Sequence, residues 1–172
     1  MKLTIITIAY NSEKDIGRTI ESVLAQKQGD IPYTMEYLII DGASSDGTVA
    51  VAESYMTAME DRGIDCRIYS EPDAGIYDAM NKGIRLAAGE IIGILNSGDW
   101  YEPVAAATAA DTFARTGCDL MYANIRMHRA DGSFFVKKAR QRRFQTSRDW
   151  NHPTTFVKAE LYQQYPFRCL GI

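Results

Sequence analysis

The run Asn96-Ser97-Gly98-Asp99 carries the most chemistry in this chain of 172 residues. It follows Glu90-Ile91-Ile92-Gly93-Ile94-Leu95, an apolar stretch that reads as a buried strand. A strand ending in polar residues delivers them to the carboxyl edge of a sheet, where α/β proteins bind ligands. A single carboxylate there suits a hydrated Mg²⁺ or Mn²⁺, which takes one or two carboxylates and completes its shell with water and phosphate oxygens. A plain turn uses the same residue types. Two further apolar runs end in the same way: Leu3 to Ala9 runs into Tyr10-Asn11-Ser12, and Tyr37 to Ile40 runs into Asp41-Gly42-Ala43-Ser44-Ser45-Asp46-Gly47-Thr48. Three strands emptying polar loops onto one edge point to a ligand crevice.

The side chains at these edges suit a nucleotide bearing phosphates. Tyr10 can stack on a base, a contact worth about 1–3 kcal/mol. Asp41 can accept hydrogen bonds from a base N–H or a ribose hydroxyl, and a carboxylate makes such bonds stronger than neutral pairs. Asp46 has the same capacity, or caps the helix that Gly47-Thr48 opens. Asp73, Asp78 and Asn81 surround a helix start near Gly75, whose free N–H groups favour anions. Asp78 and Lys82, four apart, also have the spacing of a surface ion pair.

The elements that position these residues alternate. Residues 3–9 read as a strand, and Ser12 caps a helix through about Gln26 with Ile16, Ile20, Val23 and Leu24 on one face. A strand over 35–41 leads to a helix from Asp46 or Thr48 to about Asp61, and then to a short strand over 66–69. A helix from Gly75 to Ala88 turns Ile76, Met80, Ile84 and Ala87 inward and ends at a Gly89 cap. A strand over 90–95 precedes a helix from Glu102-Pro103 to about Thr116. Beyond Asp119 the pattern turns strand-rich: Leu120 to Ala123 and Ile125 to Arg129 are extended, and Ala130-Asp131-Gly132-Ser133 is a hairpin signal before Phe134-Phe135-Val136. Ala159 to Gln164 is a last helix. The fold class is α/β: a mostly parallel sheet flanked by helices, with an added antiparallel segment after about residue 119. No Pro/Gly-rich linker divides residues 1–172, which form one domain with a nucleotide-binding half of about 1–101 and an acceptor-side half of about 102–172.

Composition excludes several classes. The net charge of −3 argues against a nucleic-acid binder. Cys66, Cys118 and Cys169 have neither disulfide-framework nor zinc spacing. No stretch approaches the roughly 20 apolar residues of a membrane span, and the N-terminus lacks the pattern of a signal peptide. A cytoplasmic protein is expected. Lys137, Lys138, Arg140, Arg142 and Arg143 form a basic run, which is a solvated loop or a contact for an anionic leaflet. No GxGxxG follows the first strand, which excludes a dinucleotide-binding dehydrogenase. The Gly-rich basic loop of sugar-nucleotide nucleotidyltransferases is absent as well.

Four motifs in order, Thr7 to Ser12, Ile40 to Thr48, Glu71 to Gly83 and Leu95 to Tyr101, resemble the family 2 (GT-A fold) glycosyltransferases that build bacterial polysaccharides. The resemblance covers about residues 3–165. It implies an inverting, hexosyltransferase-type reaction from a nucleotide-diphosphate donor, with UDP-sugar the favoured form, to a glycan or lipid-linked acceptor. It further implies that Thr7, Ala9, Tyr10, Asp41, Asp46, Asp73, Asp78, Asn81, Asn96 and Gly98 line the donor site, that Asp99 holds Mg²⁺ or Mn²⁺, and that His152 lies near the acceptor. Asn96 and Gly98 stand where the family often has Asp, which implies either a weaker, hydrated cation or a dispensable metal whose role cationic side chains share. Similar enzymes carry their catalytic base in an acidic segment further on, whereas no acidic residue follows Glu160 here. The expectation is a chain truncated at its C-terminus and lacking that base. The alternative reading is an inactive nucleotide-sugar-binding domain.

Overall fold

The computed structural model describes residues 1–140 and 151–168. Arg142 and Arg143 of the basic run lie outside the described residues. Four strands, β1 (Lys2–Ala9), β2 (Thr34–Asp41), β3 (Asp65–Ser70) and β4 (Ile91–Ile94), are mutually parallel. Two more, β5 (Leu120–Met121) and β8 (Phe156–Lys158), complete a six-stranded sheet in the order β3-β2-β1-β4-β8-β5. Strand β8 runs antiparallel to both of its neighbours. Between β5 and β8 in sequence, β6 (Ile125–His128) and β7 (Phe134–Lys137) form a separate antiparallel ribbon, as the hairpin signal indicates. The α/β expectation, mostly parallel with an antiparallel addition, holds.

Both faces of the sheet are covered, which is why β1 and β2 are buried almost end to end. Successive side chains point to opposite faces. Leu3, Ile5, Tyr37 and Ile39 therefore pack with Ile16, Ile20 and Val23 of α1 (Ile16–Leu24) and with Ala106, Ala109, Ala110 and Phe113 of α5 (Ala105–Thr116). Ile6, Ile8, Leu38 and Ile40 face Ala79, Met80 and Ile84 of α4 (Ile76–Leu86). Helix α6 (Ala159–Gln164) follows β8 directly.

Several boundaries differ from the sequence reading. Helix α1 starts at Ile16 rather than Ser12, because Ser12 turns its hydroxyl back to the Tyr10 carbonyl and its own carbonyl accepts from Asp15 and Ile16. The helix read over 46–61 is two helices, α2 (Thr48–Glu53) and α3 (Met56–Asp61). Between them Ser54 Oγ bonds the Val51 carbonyl, and Tyr55 reaches away to Glu21 at 2.9 Å. Helix α4 ends at Leu86, and Gly89 is not its cap. A Cβ at Gly89 would lie 2.7 Å from the Thr4 backbone nitrogen, so this glycine permits close approach to β1.

Polar side chains on α1 fix the segment after β4. Thr19, Ser22 and Gln26 lie on one face of that helix and its C-terminal extension. Thr19 Oγ1 donates to the Asp99 carbonyl at 2.8 Å and accepts from Gly98 N at 2.9 Å. Ser22 Oγ accepts from Tyr101 N, and Gln26 bonds both the Glu102 carbonyl and Ala106 N. The turn carrying Asp99 is thereby pinned from 79 residues away in sequence.

A candidate nucleotide-sugar site

The order β2-β1-β4 places the reversal of chain direction across the sheet beside β1, and the crevice beyond the carboxyl ends of such strands is the usual ligand site of open α/β sheets. A cleft of about 600 Å³ lies there. Its walls come from the end of β1 (Ile8, Ala9, Tyr10, Ser12), from Gly42 after β2, from Pro72, Asp73, Gly75, Ile76 and Ala79 around the amino end of α4, and from Asn96 and Ser97 after β4. Tyr10 is 66% exposed at its rim. Ile76, expected in the core, is 51% exposed and forms cleft wall instead, because it is the first residue of α4 and projects past the sheet edge.

Two strained residues flank this edge. Asn11 and Ala43, with φ of 48° and 60°, are the non-glycine residues at positive φ among those described, and each follows a strand that ends at the cleft. Such conformations persist where surrounding bonds over-determine them, and they cluster at functional sites. Here Asn11 N donates to Ser44 Oγ at 2.8 Å, and Asn11 Oδ1 accepts from Ser45 N at 2.9 Å. The two loops are bound to each other.

Asp41 is the centre of that arrangement. It is 1% exposed, and its carboxylate accepts from Ser44 N at 2.9 Å, from Ser44 Oγ, and from Ser70 Oγ at 2.6 Å. Asp41 thus ties the loop after β2 to the end of β3, where Ser70 is its direct register partner. Asp46 Oδ1 accepts from Thr48 N and Thr48 Oγ1 at the start of α2, and its Oδ2 accepts from Glu13 N. The Thr48 hydroxyl foremost, with those N–H groups, holds the Asp46 carboxyl below the usual range.

The remaining expected residues divide clearly. Ala9, Tyr10, Asp73 and Asn96 line the cleft. Thr7 does not: it is fully buried, and its hydroxyl accepts from Tyr37 OH at 2.9 Å inside the sheet. Asp73 Oδ1 accepts from Gly75 N, and Asp78 Oδ2 accepts from Ala74 N, so these two carboxylates shape the turn into α4. Asp78 makes that bond in place of a pair with Lys82, which reaches the Pro72 carbonyl at 2.7 Å and Glu71 at 3.2 Å. Asn81 stands on the wall of α4 away from the cleft lining, its amide holding both the carbonyl and the N–H of Phe167.

Gly98, at φ +95°, gives the turn a left-handed step that a side chain would strain. The turn presents Asp99, a half-buried carboxylate that no donor among the described residues bonds, and burial raises its pKa. No group of three or more His, Cys, Asp or Glu side chains gathers around a metal position among the described residues. A single free carboxylate nonetheless fits a hydrated cation completed by phosphate oxygens. Among the described residues, Asn96 Oδ1 and Ser97 Oγ are buried without hydrogen-bond partners, as are both ring nitrogens of His152. His152 opens a 3-10 turn (His152–Thr154) just before β8, and its ring lies 6.3 Å from that of Phe167. Burial lowers the His152 pKa, which favours the neutral ring. Buried polar atoms are almost always bonded in native structures, and Asn96 and Ser97 both line the cleft.

The sequence reading missed Ser12, Gly42, Ser44, Ser70 and Thr19. Ser70 ends the third strand as Asp41 ends the second, and that parallel was the available signal. No helix among the described residues is long and apolar enough to cross a membrane.

A family model described as Glycosyl transferase family 2 matches residues 4–171. An uncharacterized glycosyltransferase of Mycobacterium tuberculosis is 37% identical over 117 residues, covering 67% of this chain and 41% of that protein. A PGL/p-HBAD biosynthesis glycosyltransferase of Mycobacterium bovis is 31% identical over 133 residues, covering 72% of this chain and 46% of that protein. The chain therefore spans less than half the length of these curated relatives. Among solved structures, S. aureus TarS 1-349 in complex with UDP-GlcNAc superposes with a TM-score of 0.70 at 20% identity, over 95% of this chain and 47% of that one. The mannosyltransferase PcManGT from Pyrobaculum calidifontis, in complex with GDP-Man and Mn²⁺, gives 0.68 at 17% identity, over 96% and 47%.

Proposed function

The chain belongs to glycosyl transferase family 2, with the GT-A fold, and we propose that it binds a nucleoside-diphosphate sugar in the Tyr10 cleft as the donor for an inverting transfer to an acceptor hydroxyl, with no described residue assigned as the base that takes the hydroxyl proton. The observation that carries this reading is the cleft itself: an exposed aromatic ring, a helix amino end and unpartnered polar atoms converge at one sheet edge.

The base stacks on Tyr10, and the loop ordered by Asp41 offers hydrogen bonds to the nucleoside. The diphosphate lies towards the amino end of α4, where the helix dipole favours anions and where Asp73 and Asp78 already cap Gly75 N and Ala74 N. Asn96 and Ser97 supply further polar contacts. Asp99 is the protein ligand for Mg²⁺ or Mn²⁺, which when bound acts as a Lewis acid that offsets charge on the leaving nucleoside diphosphate. The neutral His152 ring offers one donor and one acceptor nitrogen to a sugar hydroxyl or phosphate. UDP is the proposed nucleotide, in keeping with the TarS complex, and GDP and dTDP are its competitors. Acceptors are glycans or lipid-linked sugars of the cell surface. Lys137, Lys138 and Arg140 extend from the exposed ribbon towards an anionic leaflet, in a protein we place on the cytoplasmic side.

A thermal-shift panel of UDP-, GDP- and dTDP-linked sugars with Mn²⁺ tests the donor assignment. UDP-sugars are expected to raise Tm and the others to raise it less. A flat response across the panel would refute the donor cleft, and a GDP or dTDP preference would refute the assigned base.

A further inference from the structure

Behind the Asn96–Tyr101 turn lies a second cavity, of about 260 Å³, which the proposed donor does not enter. Trp100, Val104, Met121, Met127 and Phe156 supply apolar wall, and Asp99 stands in its lining. Strand β6 is its roof. That roof is held by an Arg126–Glu102 ion pair at 3.0 Å and by His128 packed on Trp100, ring centroids 4.9 Å apart. On Trp100, too, lies the Arg18 guanidinium, 3.1 Å from the ring centroid, so the indole is braced in place.

We propose that this cavity receives the apolar aglycone of the acceptor, an aromatic ring or short alkyl chain, with the hydroxyl to be glycosylated lying at the Asp99 end. The inference rests on the donor reading above and assigns the acceptor class to the adjoining space. Two features carry it. The same turn walls both spaces: Ser97 borders the donor cleft and Asp99 borders the cavity, two residues on, a span of at most about 7 Å of backbone. An occupant of the cavity is therefore next to the donor. The second feature is chemical. Polar side chains also line the space, but Glu102 and Arg126 bond each other and Thr108 and Thr154 donate to backbone carbonyls, so a sugar ring would leave several of its hydroxyls unbonded there, which is disfavoured. The nearest cation in the lining, Arg126, is already paired with Glu102, so the cavity does not select an anion. An apolar group fills the space and leaves Asp99 facing a polar neighbour.

The test titrates phenyl and methyl β-glycosides of glucose, galactose, mannose and N-acetylglucosamine into the full chain with UDP and Mn²⁺. Binding is followed by calorimetry and by Trp fluorescence. In at least one pair the phenyl glycoside is expected to bind about tenfold to a hundredfold more tightly than the methyl glycoside. Thr108→Trp and Met127→Glu, both exposed positions in the cavity lining, should each abolish that preference and leave UDP affinity unchanged. Two variants on separate elements guard against one failing to fold. Equal affinity within every pair, or a preference that survives both variants, overturns the proposal even where UDP binds. Absence of UDP binding refutes the donor reading separately, and the phenyl preference is then scored by the same two variants.

Discussion

Replacing Asp41 separates what it holds from what it contacts. The carboxylate accepts from Ser44 N, Ser44 Oγ and Ser70 Oγ while almost wholly buried. In Asp41→Ala these donors lose their acceptor, with Ser44 half-buried and Ser70 open to solvent, and the loop that keeps Ala43 at positive φ loses its anchor. Hydrogen bonds to a charged group contribute about 1.5–3 kcal/mol, and a buried donor left unmatched costs a similar amount. Allowing for overlap between the bonds, a loss of about 2–4 kcal/mol is expected. For a domain of this size that corresponds to a fall in Tm on the order of 4–16 °C. Asp41→Asn is different. Its carbonyl oxygen can take the place of Oδ2, receiving Ser44 N and Ser70 Oγ, while its NH₂ donates to Ser44 Oγ. That hydroxyl then turns its own proton outward. Stability should fall by about 1 kcal/mol or less. UDP affinity should fall in both variants, further in Asp41→Ala, where the loop is disordered as well as uncharged. Urea denaturation and UDP calorimetry on the three proteins make the comparison. If Asp41→Ala is as stable as the parent, the carboxylate does not hold the loop. If Asp41→Asn loses as much stability as Asp41→Ala, the hydrogen-bond reasoning fails.

Other outcomes follow from the same geometry. A Cβ in Gly42→Ala would lie 2.7 Å from Asp73 Oδ2, so Asp73 must swing away and release Gly75 N. Because a side-chain end moves, unfolding should change by about 1 kcal/mol or less, while UDP affinity should drop roughly tenfold; unchanged affinity would remove Gly42 and Asp73 from the site. Asp99→Asn should alter the pH dependence of stability. Burial raises the Asp99 pKa in the folded state, so the native protein holds that proton to higher pH than the unfolded chain, and the relative stabilisation is lost as pH rises through the folded value. The variant should therefore be the more stable of the two at pH 7, with the gap closing as pH falls through the carboxylate range. Denaturation midpoints from pH 3 to 8 measure this, and a gap that widens towards low pH would contradict it. Thr19→Val should free the Asp99 turn by removing its bonds to Gly98 N and the Asp99 carbonyl, weakening the Mn²⁺ enhancement of UDP binding more than UDP binding alone. Equal losses in the two quantities would mean that Thr19 does not position Asp99.

Much of the frame was legible because it rests on local pattern. The apolar runs before Asn11, Asp41 and Asn96 are parallel strands covered on both faces, and continuous hydrophobicity marks such strands. The ribbon was legible from Asp131-Gly132. What escaped the reading depends on register or on distant partners. Strand β8 has three residues, and its place between β4 and β5 shows only in its pairing with both. Asp41 reads as a ligand-facing acid by position, yet its partner Ser70 is 29 residues away and visible only through the β2–β3 register. Thr7 has a strand-end motif around it, but the pleat turns it inward to Tyr37. Asn81 looks like a cleft residue on a helix start, and the chain returns 86 residues later to occupy its amide with Phe167. Of the second cavity only Asp99, Trp100 and Tyr101 fall in a motif, since the rest of its walls come from α5, β5, β6 and the segment around β8.

The central claim is a metal-assisted nucleoside-diphosphate site at this sheet edge, and calorimetry of UDP binding with and without Mn²⁺ tests it most directly. The account predicts saturable heat for UDP, tighter binding when Mn²⁺ is present, and loss of that enhancement in Asp99→Asn with UDP binding retained. No heat from UDP, GDP or dTDP under either condition would contradict it.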